Sequence, residues 1–498
     1  MKLKHIIIAA GLVVMGLSVM TVSAEKVVIL HTNDTHSHIE PVISSGMGGV
    51  MRRKAVIDSV RQAEPNVVLV DAGDIVQGTL YFHLYKGEVE QKVLNQLGYD
   101  VQILGNHEFD NGLESMARMF SIAEPTLLST NYDLSQTPLD PYFKPYLIKE
   151  VGGVRIGFLA INLDPKGMIS DANYHGLTLL DWEKAANATA WHLKHNEKVD
   201  VVVAVTHIGY DDHSTFSDID LVGKSSDIDV IIGGHTHTKV TPDMARHVNA
   251  VGDTVLVTQA GRYGEYVGEI TINTDNHAMQ YRLIPIDSRL DNYRDEELEA
   301  MLVSYRAGID SLYSHSVATV ARDLRNNGPE LLNYVADFVL ERGRTLVSDV
   351  DMSIVNKGGI RRSLTKGSIS EGDVIDMLPF DNRVTIIDLP GRALREAFDV
   401  MAARGGDGVS ANVDAKFDVS SGLCSSIIIN GSPLDDGRIY RVATIDYLAN
   451  GGDYMLPLTE GKLVAQSANK VYEDLLDHFV SSRKKRTINP PSTRRMHQ

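Results

Sequence analysis

The sequence predicts a two-domain α/β protein, and three observations lead there. From Lys26 to about Pro285, short β-branched runs alternate with helical stretches. Each run ends in a cluster of polar residues, as expected where parallel strands deliver a site at their carboxyl ends. After a charged helical stretch, a second alternation carrying different polar residues runs from about Val317 to Arg483.

The chain begins with Lys2 and Lys4, an apolar run from Ile6 to about Val19, and the small-residue site Val22-Ser23-Ala24. This is the form of a secretory signal, and the run is short for a retained membrane anchor. Export to the periplasm or cell surface is therefore expected, without stable membrane insertion. Cys424 is the only cysteine, so no intramolecular disulfide can form and stability must come from packed cores. A formal net charge of -17 argues against a nucleic-acid polymer as partner, because phosphate chains need a basic face. A small phosphorylated substrate needs only a few local cations or metal ions.

In the first half the strand runs are Val27–Leu30, Val67–Val70, Val101–Leu104, Val201–Val205 and Val230–Ile232, with helical or loop stretches 49–63, 88–97 and 182–196 between them. Their polar ends read HTNDTH (Asp34, His36), DAGD (Asp71, Asp74), GNHEFD (Asn106, His107, Asp110), VTHIG (His207) and GGHTHT (His235, His237). Asp34 and His36 are two residues apart, as are His235 and His237, and on extended chain that spacing puts both side chains on one side. By the same reasoning the neighbours Asn106 and His107 face different ways. Asp110 follows His107 by three, which in a turn pairs a carboxylate with an imidazole. One such cluster is as well explained by a helix cap or a satisfied polar group. Five strand ends of this kind in one domain point to a metal site. Imidazoles with oxygen donors and no thiolate suit Zn, Mn, Fe or Co.

Residues 291–314 are charged and helical in pattern, a linker or the last helix of the first domain. The second half reads as helices over 330–341 and 391–402, with strands at Met352–Val355, 424–429 and 440–444. Its VNKGGIRRS stretch sets Gly358 and Gly359 beside Arg361, which is either a backbone approach to an anion or a plain glycine turn. The divisions are a signal segment 1–24, a first domain 25–290, a linker helix 291–316, a second domain 317–483 and a basic tail 484–498, read as disordered.

The first-half motifs resemble the calcineurin-like metallophosphoesterases, and within them the 5′-nucleotidases, bacterial periplasmic and animal cell-surface alike. The resemblance covers about Val27 to Asp477. It implies an N-terminal β-sandwich flanked by helices and a separate α/β C-terminal domain. It also implies two divalent metal ions, one held by Asp34, His36 and His237 and the other by Asn106, His207 and His235, with Asp74 bridging; Asp71, which precedes the bridging position, reads as structural. His107, oriented by Asp110, would be the catalytic group. In the second half the family's Asn-Gly-Gly-Gly-Ile-Arg motif matches Asn356 to Arg361, with Lys357 in place of the first glycine. The resemblance makes Arg361 and Arg325, the latter eight residues before Asn333, phosphate binders. It makes Phe380 and Tyr447 the pair that sandwiches the base, Asn382 and Asp453 polar contacts of the nucleoside, and Asn356 a further substrate-binding residue. The chain departs from the pattern at His237, where close relatives carry Gln or Asn, and at Tyr447, where they carry Phe. A third departure follows Asp453, where a glycine is missing before Tyr454.

The expectation is an exported dimetal phosphohydrolase acting on nucleotides, a 5′-nucleotidase whose range extends to di- and triphosphates or UDP-sugars, with the two domains rotating about the linker. The nearer alternative is a 2′,3′-cyclic-nucleotide phosphodiesterase with 3′-nucleotidase activity, a group that has Asn where this chain has Asp110. The farther one is a non-catalytic surface protein that binds metal.

Overall fold

The computed structural model describes residues 26–211, 216–481 and 487–498. The expected signal segment 1–24 and the basic run Arg483–Arg486 lie outside the described residues. Among those described, no helix is long and apolar enough to cross a membrane.

The first half is a sandwich of two mixed sheets. One runs in the order Met279–Pro285, Tyr266–Asn273, Lys26–Thr32, Val67–Asp71, Val101–Ile103, Thr126–Leu128, Phe143–Lys144. The other runs Arg246–Val248, Thr254–Thr258, Val230–Ile232, Val201–His207, Val154–Asn162, Tyr146–Val151. The site-bearing strands Lys26–Thr32, Val67–Asp71 and Val101–Ile103 are mutually parallel, as are Val154–Asn162, Val201–His207 and Val230–Ile232. Their carboxyl ends therefore open on one side.

Side chains alternate across each sheet. Val27, Ile29, Val68, Val70, Val101 and Ile103 meet Ile156, Phe158, Val201, Val203, Val205 and Ile232 from the opposite sheet in one buried cluster. The other faces, with Val28, Leu30 and Leu69, pack under helices such as Val50–Ala63 and Glu88–Leu97. Burial on both faces explains why these strands read as continuous β-branched runs.

The charged stretch forms a helix, Glu296–Tyr313, capped by the Asp295 side chain accepting from the Leu298 amide. It touches both halves: Tyr85 donates its hydroxyl to the Tyr305 carbonyl at 2.9 Å, and Tyr313 donates to Asp376. The second half centres on a sheet ordered Gly408–Val409, Met352–Val355, Ile439–Ile445, Val384–Pro390, Lys462–Gln466, covered by the helices Pro329–Leu346 and Gly391–Ala403.

At 487–498 the tail corrects the expectation of disorder. Thr487–Ile488 pairs in parallel with Ser316–Val320, and Met496–His497 pairs with Val413–Asp418. Between them, buried Asn333 donates to the carbonyls of Pro491 and Thr493, both at 2.9 Å, and Arg495 meets Asp337 at 2.7 Å. Composition suggested a solvated basic segment, but backbone pairing and two anchoring side chains on the neighbouring helix hold it down.

Candidate active site

The first strand stops at Thr32, before the residues it delivers. Asp34 (φ 49°) and His36 (φ 46°) are both left-handed, as are Asp74 (φ 56°), His235 (φ 79°) and His237 (φ 55°). The extended-chain argument for the two spaced pairs is thereby corrected. Each pair sits in a tight loop past its strand, and convergence comes from left-handed turns, which non-glycine residues adopt only where surroundings impose them. Asn106 is likewise helical (φ -76°, ψ -29°) and caps the short turn His107–Asn111. The loops touch: a Cβ at Gly105 would lie 2.2 Å from Asp74 Oδ1, so only glycine fits there.

Asp34, His36 and His237 each place one donor atom within 4.8 Å of the others, and so do Asp34, Asp74 and His207. His237 Nε2 stands 3.4 Å from Asp34 Oδ1 and 2.9 Å from His36 Nε2. His207 Nε2 stands 3.2 Å from Asp74 Oδ2, yet among the described residues it makes no hydrogen bond although fully buried. His235 Nδ1 and Asn106 Oδ1 are 2.9 Å apart. The outward nitrogens are fixed by backbone, His207 Nδ1 donating to the Ala72 carbonyl at 2.7 Å and His36 Nδ1 to that of Val76 at 3.2 Å. That leaves both Nε2 lone pairs directed inward, as metal-binding histidines require.

Burial alone would raise Asp34 and Asp74, but the surrounding imidazoles override it and hold both carboxylates below their ordinary range. Against its own burial, His207 is pushed up to about 10 by Asp74 and Asp34. Buried anionic oxygens that would otherwise recruit protons onto nearby imidazoles fit a pair of divalent cations.

His107 also lies within this range of His36 and Asp74. Its ring atoms are engaged elsewhere: Nδ1 donates to Asp110 Oδ2 at 2.9 Å, and Nε2 accepts from Arg361 Nη2 at 3.2 Å. The three-residue spacing thus forms the carboxylate–imidazole pair the sequence suggested. Gln77 steadies Asp110 through a 2.8 Å bond. Asp71 accepts from Thr32 Oγ1 at 2.6 Å and from the Gly73 amide at 3.0 Å, in keeping with a structural part.

A cavity of about 330 Å³ runs from Asn106, His107 and Asp110 to Asn356, Arg361, Phe380, Asn382, Tyr447 and Asp453 of the second half. Asn356 Nδ2 donates to Asp453 Oδ2 at 2.6 Å, while its buried Oδ1 has no partner among the described residues. The Arg361 guanidinium lies 5.5 Å over the Phe380 ring. Lys357, in the place of the motif's first glycine, turns away and donates to the Arg404 carbonyl. Arg325 is exposed and is not among the residues lining the cavity; its turn Arg325–Gly328 leads into the helix Pro329–Leu346. Its companion Asn333 is spent on the tail.

Sequence reading missed Glu108. Buried beside His107, it accepts the amides of Gly105 at 2.5 Å, Ile75 at 2.9 Å and Asp74 at 3.1 Å, welding two loops together. Burial and the Asp74 charge raise it to about 8. Its only signal was a second carboxylate in GNHEFD. The wall 168–173 carries no motif at all.

Residues 27–239 match the family model described as calcineurin-like phosphoesterase, and residues 313–459 match that of the 5′-nucleotidase C-terminal domain. The chain is 27% identical over 495 residues to the Trifunctional nucleotide phosphoesterase protein YfkN of Bacillus subtilis, covering 87% of this chain but 32% of that much longer protein. It is 28% identical over 508 residues to an apyrase of Tabanus yao, covering 90% of each. Among solved structures, a 5′-nucleotidase precursor from Thermus thermophilus superposes with a TM-score of 0.84 at 28% identity, covering 95% of this chain and 99% of that one.

Proposed function

Since the chain belongs to the calcineurin-like phosphoesterases that carry a 5′-nucleotidase C-terminal domain, we propose that it is an exported enzyme releasing phosphate from nucleoside 5′-monophosphates, with di- and triphosphates and UDP-sugars as longer members of the same substrate class. It is a metal-dependent phosphoester hydrolase. Asp34, His36, His237, Asn106, His207 and His235, together with Asp74, would hold two divalent ions, which would supply Lewis acidity toward phosphoryl oxygens and lower the pKa of water. Export leaves periplasm or cell surface as its place of action.

The chain's own groups do the rest. Asp110 and Gln77 fix the His107 ring with its Nε2 edge toward the cavity, and against its burial Asp110 and Asp74 favour the imidazolium, whose Nε2–H meets the charge developing on the phosphoryl group and assists the leaving oxygen. Arg361, already aimed at that edge, is placed to grip phosphate through two parallel N–H bonds. Phe380 and Tyr447 offer faces for a base, while Asn356, Asn382 and Asp453 offer polar contacts for the nucleoside. The observation that carries the reading is the cavity itself, which Asn106 and His107 line together with Phe380 and Tyr447, the Phe380 ring standing 5.9 Å from that of His107.

Hydrolysis of AMP, 3′-AMP, 2′,3′-cyclic AMP, ATP, UDP-glucose and NAD, followed by separating the products, tests it. AMP should lead the panel by kcat/KM. A lead by 2′,3′-cyclic AMP and 3′-AMP would replace this reading with the cyclic phosphodiesterase one, against which the His107–Asp110 pair stands.

A further inference from the structure

We infer that the hydroxyl of Tyr447 is a positioning group that aims the Asp453 carboxylate at a sugar hydroxyl, so that this chain separates nucleotides by their ribose. The inference rests on the nucleotide reading above. Tyr447 was singled out for its ring, and a ring alone would make phenylalanine equivalent.

The phenol is built into the loop that carries Asp453. Its oxygen accepts the Asp453 amide at 3.1 Å and donates either to Asp453 Oδ1 at 2.9 Å or to the Met168 carbonyl at 3.1 Å, which belongs to the other half of the molecule. A single proton cannot serve both at once. Burial, and then the charge of Asp453, raise the phenol far above its ordinary range, so it acts as a donor.

The loop is held in one costly shape. Asp453 (φ 52°) and Tyr454 (φ 58°) are successive left-handed residues, neither of them glycine. Gly452 lies flat on the Tyr447 ring, where a Cβ would fall 2.4 Å from a ring carbon. The other carboxylate oxygen takes Asn356 Nδ2 at 2.6 Å, with the Arg404 guanidinium at 3.7 Å.

Asp453 is among the residues lining the cavity, with Oδ2 held by Asn356 and Oδ1 within reach of the Tyr447 hydroxyl. An ionised carboxylate accepts only, and the lone pairs left on it suit O–H donors. Paired hydroxyls on the sugar of a nucleotide are donors of that kind. Phenylalanine at 447 would keep a stacking face but remove the donor to Oδ1 and the acceptor of the Asp453 amide. The carboxylate would then be free to turn from the sugar.

The test compares kcat/KM for AMP and for 2′,3′-dideoxy-AMP in the metal-loaded full chain, in Tyr447→Phe, Asp453→Asn and the double variant. The wild type should prefer AMP by roughly tenfold or more, the scale of a hydrogen bond to a charged group. Tyr447→Phe should reduce that preference at least about threefold, chiefly through AMP. Asp453→Asn should remove it, and adding Tyr447→Phe to Asp453→Asn should change it no further. A general loss of structure would lower both substrates together and leave their ratio in place. An unchanged ratio in Tyr447→Phe, with melting and metal content as in the wild type, would overturn the inference. So would a wild type indifferent to the sugar hydroxyls, and the nucleotidase reading would survive that result. A wild type that hydrolyses p-nitrophenyl phosphate but neither nucleotide would overturn the nucleotide reading and this inference with it.

Discussion

Asp74 is the side chain on which both proposed ion sites depend. Its Oδ1 takes the His107 amide at 2.8 Å and its Oδ2 faces His207 at 3.2 Å and His36 at 3.9 Å. Asp74→Asn should therefore lower the content of both ions after dialysis, whereas Asp34→Asn or His237→Ala should first lose one. Elemental analysis decides, and equal losses in all three would remove the bridging role. His107→Ala should keep two ions and lose roughly a hundredfold or more in turnover, the scale of a charge-stabilising or acid–base group. Metal lost in step with activity would make His107 a ligand. The two arginines separate on structure: Arg361→Ala should raise KM for AMP roughly tenfold or more, as a charged hydrogen-bonding partner does, and Arg325→Ala should change it far less. Equal effects would mean that the second half approaches the metals in another orientation during turnover. At this scale the sequence announced groups whose chemistry is rare in a strand end, and passed over Glu108, whose work is done on backbone amides and leaves no spacing to read.

At the scale of elements, the β-branched runs were legible because burial on both faces leaves no polar alternation to confuse them. Val230–Ile232 and Met352–Val355 fall where expected. The turns after the strands were not legible, since a left-handed Asp34 or His237 is imposed by contacts distant in sequence, among them the Asn33 amide on the Gly261 carbonyl at 2.8 Å. The tail was misread for a similar reason: two short strands and an arginine acquire their partners only after the second half has formed. Asn333 reports on this. Asn333→Ala leaves the carbonyls of Pro491 and Thr493 without their donor and should cost about 1–3 kcal/mol. Amide exchange should quicken in Thr487–Ile488 and Met496–His497 while metal content stays as it was. Unchanged exchange would show that strand pairing alone holds the tail.

At the scale of the molecule, the chemistry and the recognition proposed above fall in different halves, which meet at Asp376. This buried carboxylate accepts the Leu80 amide at 3.1 Å from the first half, the Tyr313 hydroxyl from the linking helix and Arg362 from the second. Division of labour should show in kinetics. Phe380→Ala with Tyr447→Ala should lower kcat/KM for AMP roughly 5- to 150-fold, from about 1–3 kcal/mol of stacking, and should spare a simple aryl phosphate most of that loss. A change in KM alone would mean uniform binding, whereas a fall in kcat would mean that stacking helps assemble the site. Equal losses on both substrates in a folded protein would make these rings part of the core.

The packed tail bears also on how the protein is made. The first half has its last sheet strand by Pro285, so it can close while the remainder of the chain is still being synthesised. The second half pairs Ser316–Val320 with Thr487–Ile488 and Val413–Asp418 with Met496–His497, contacts more than a hundred and about eighty residues apart in sequence. Each of those strands keeps one edge unpaired until residues 487–497 have left the ribosome and, for an exported chain, the translocation channel. The half that carries the metal-type cluster is thus completed first and waits for the half proposed to choose the substrate.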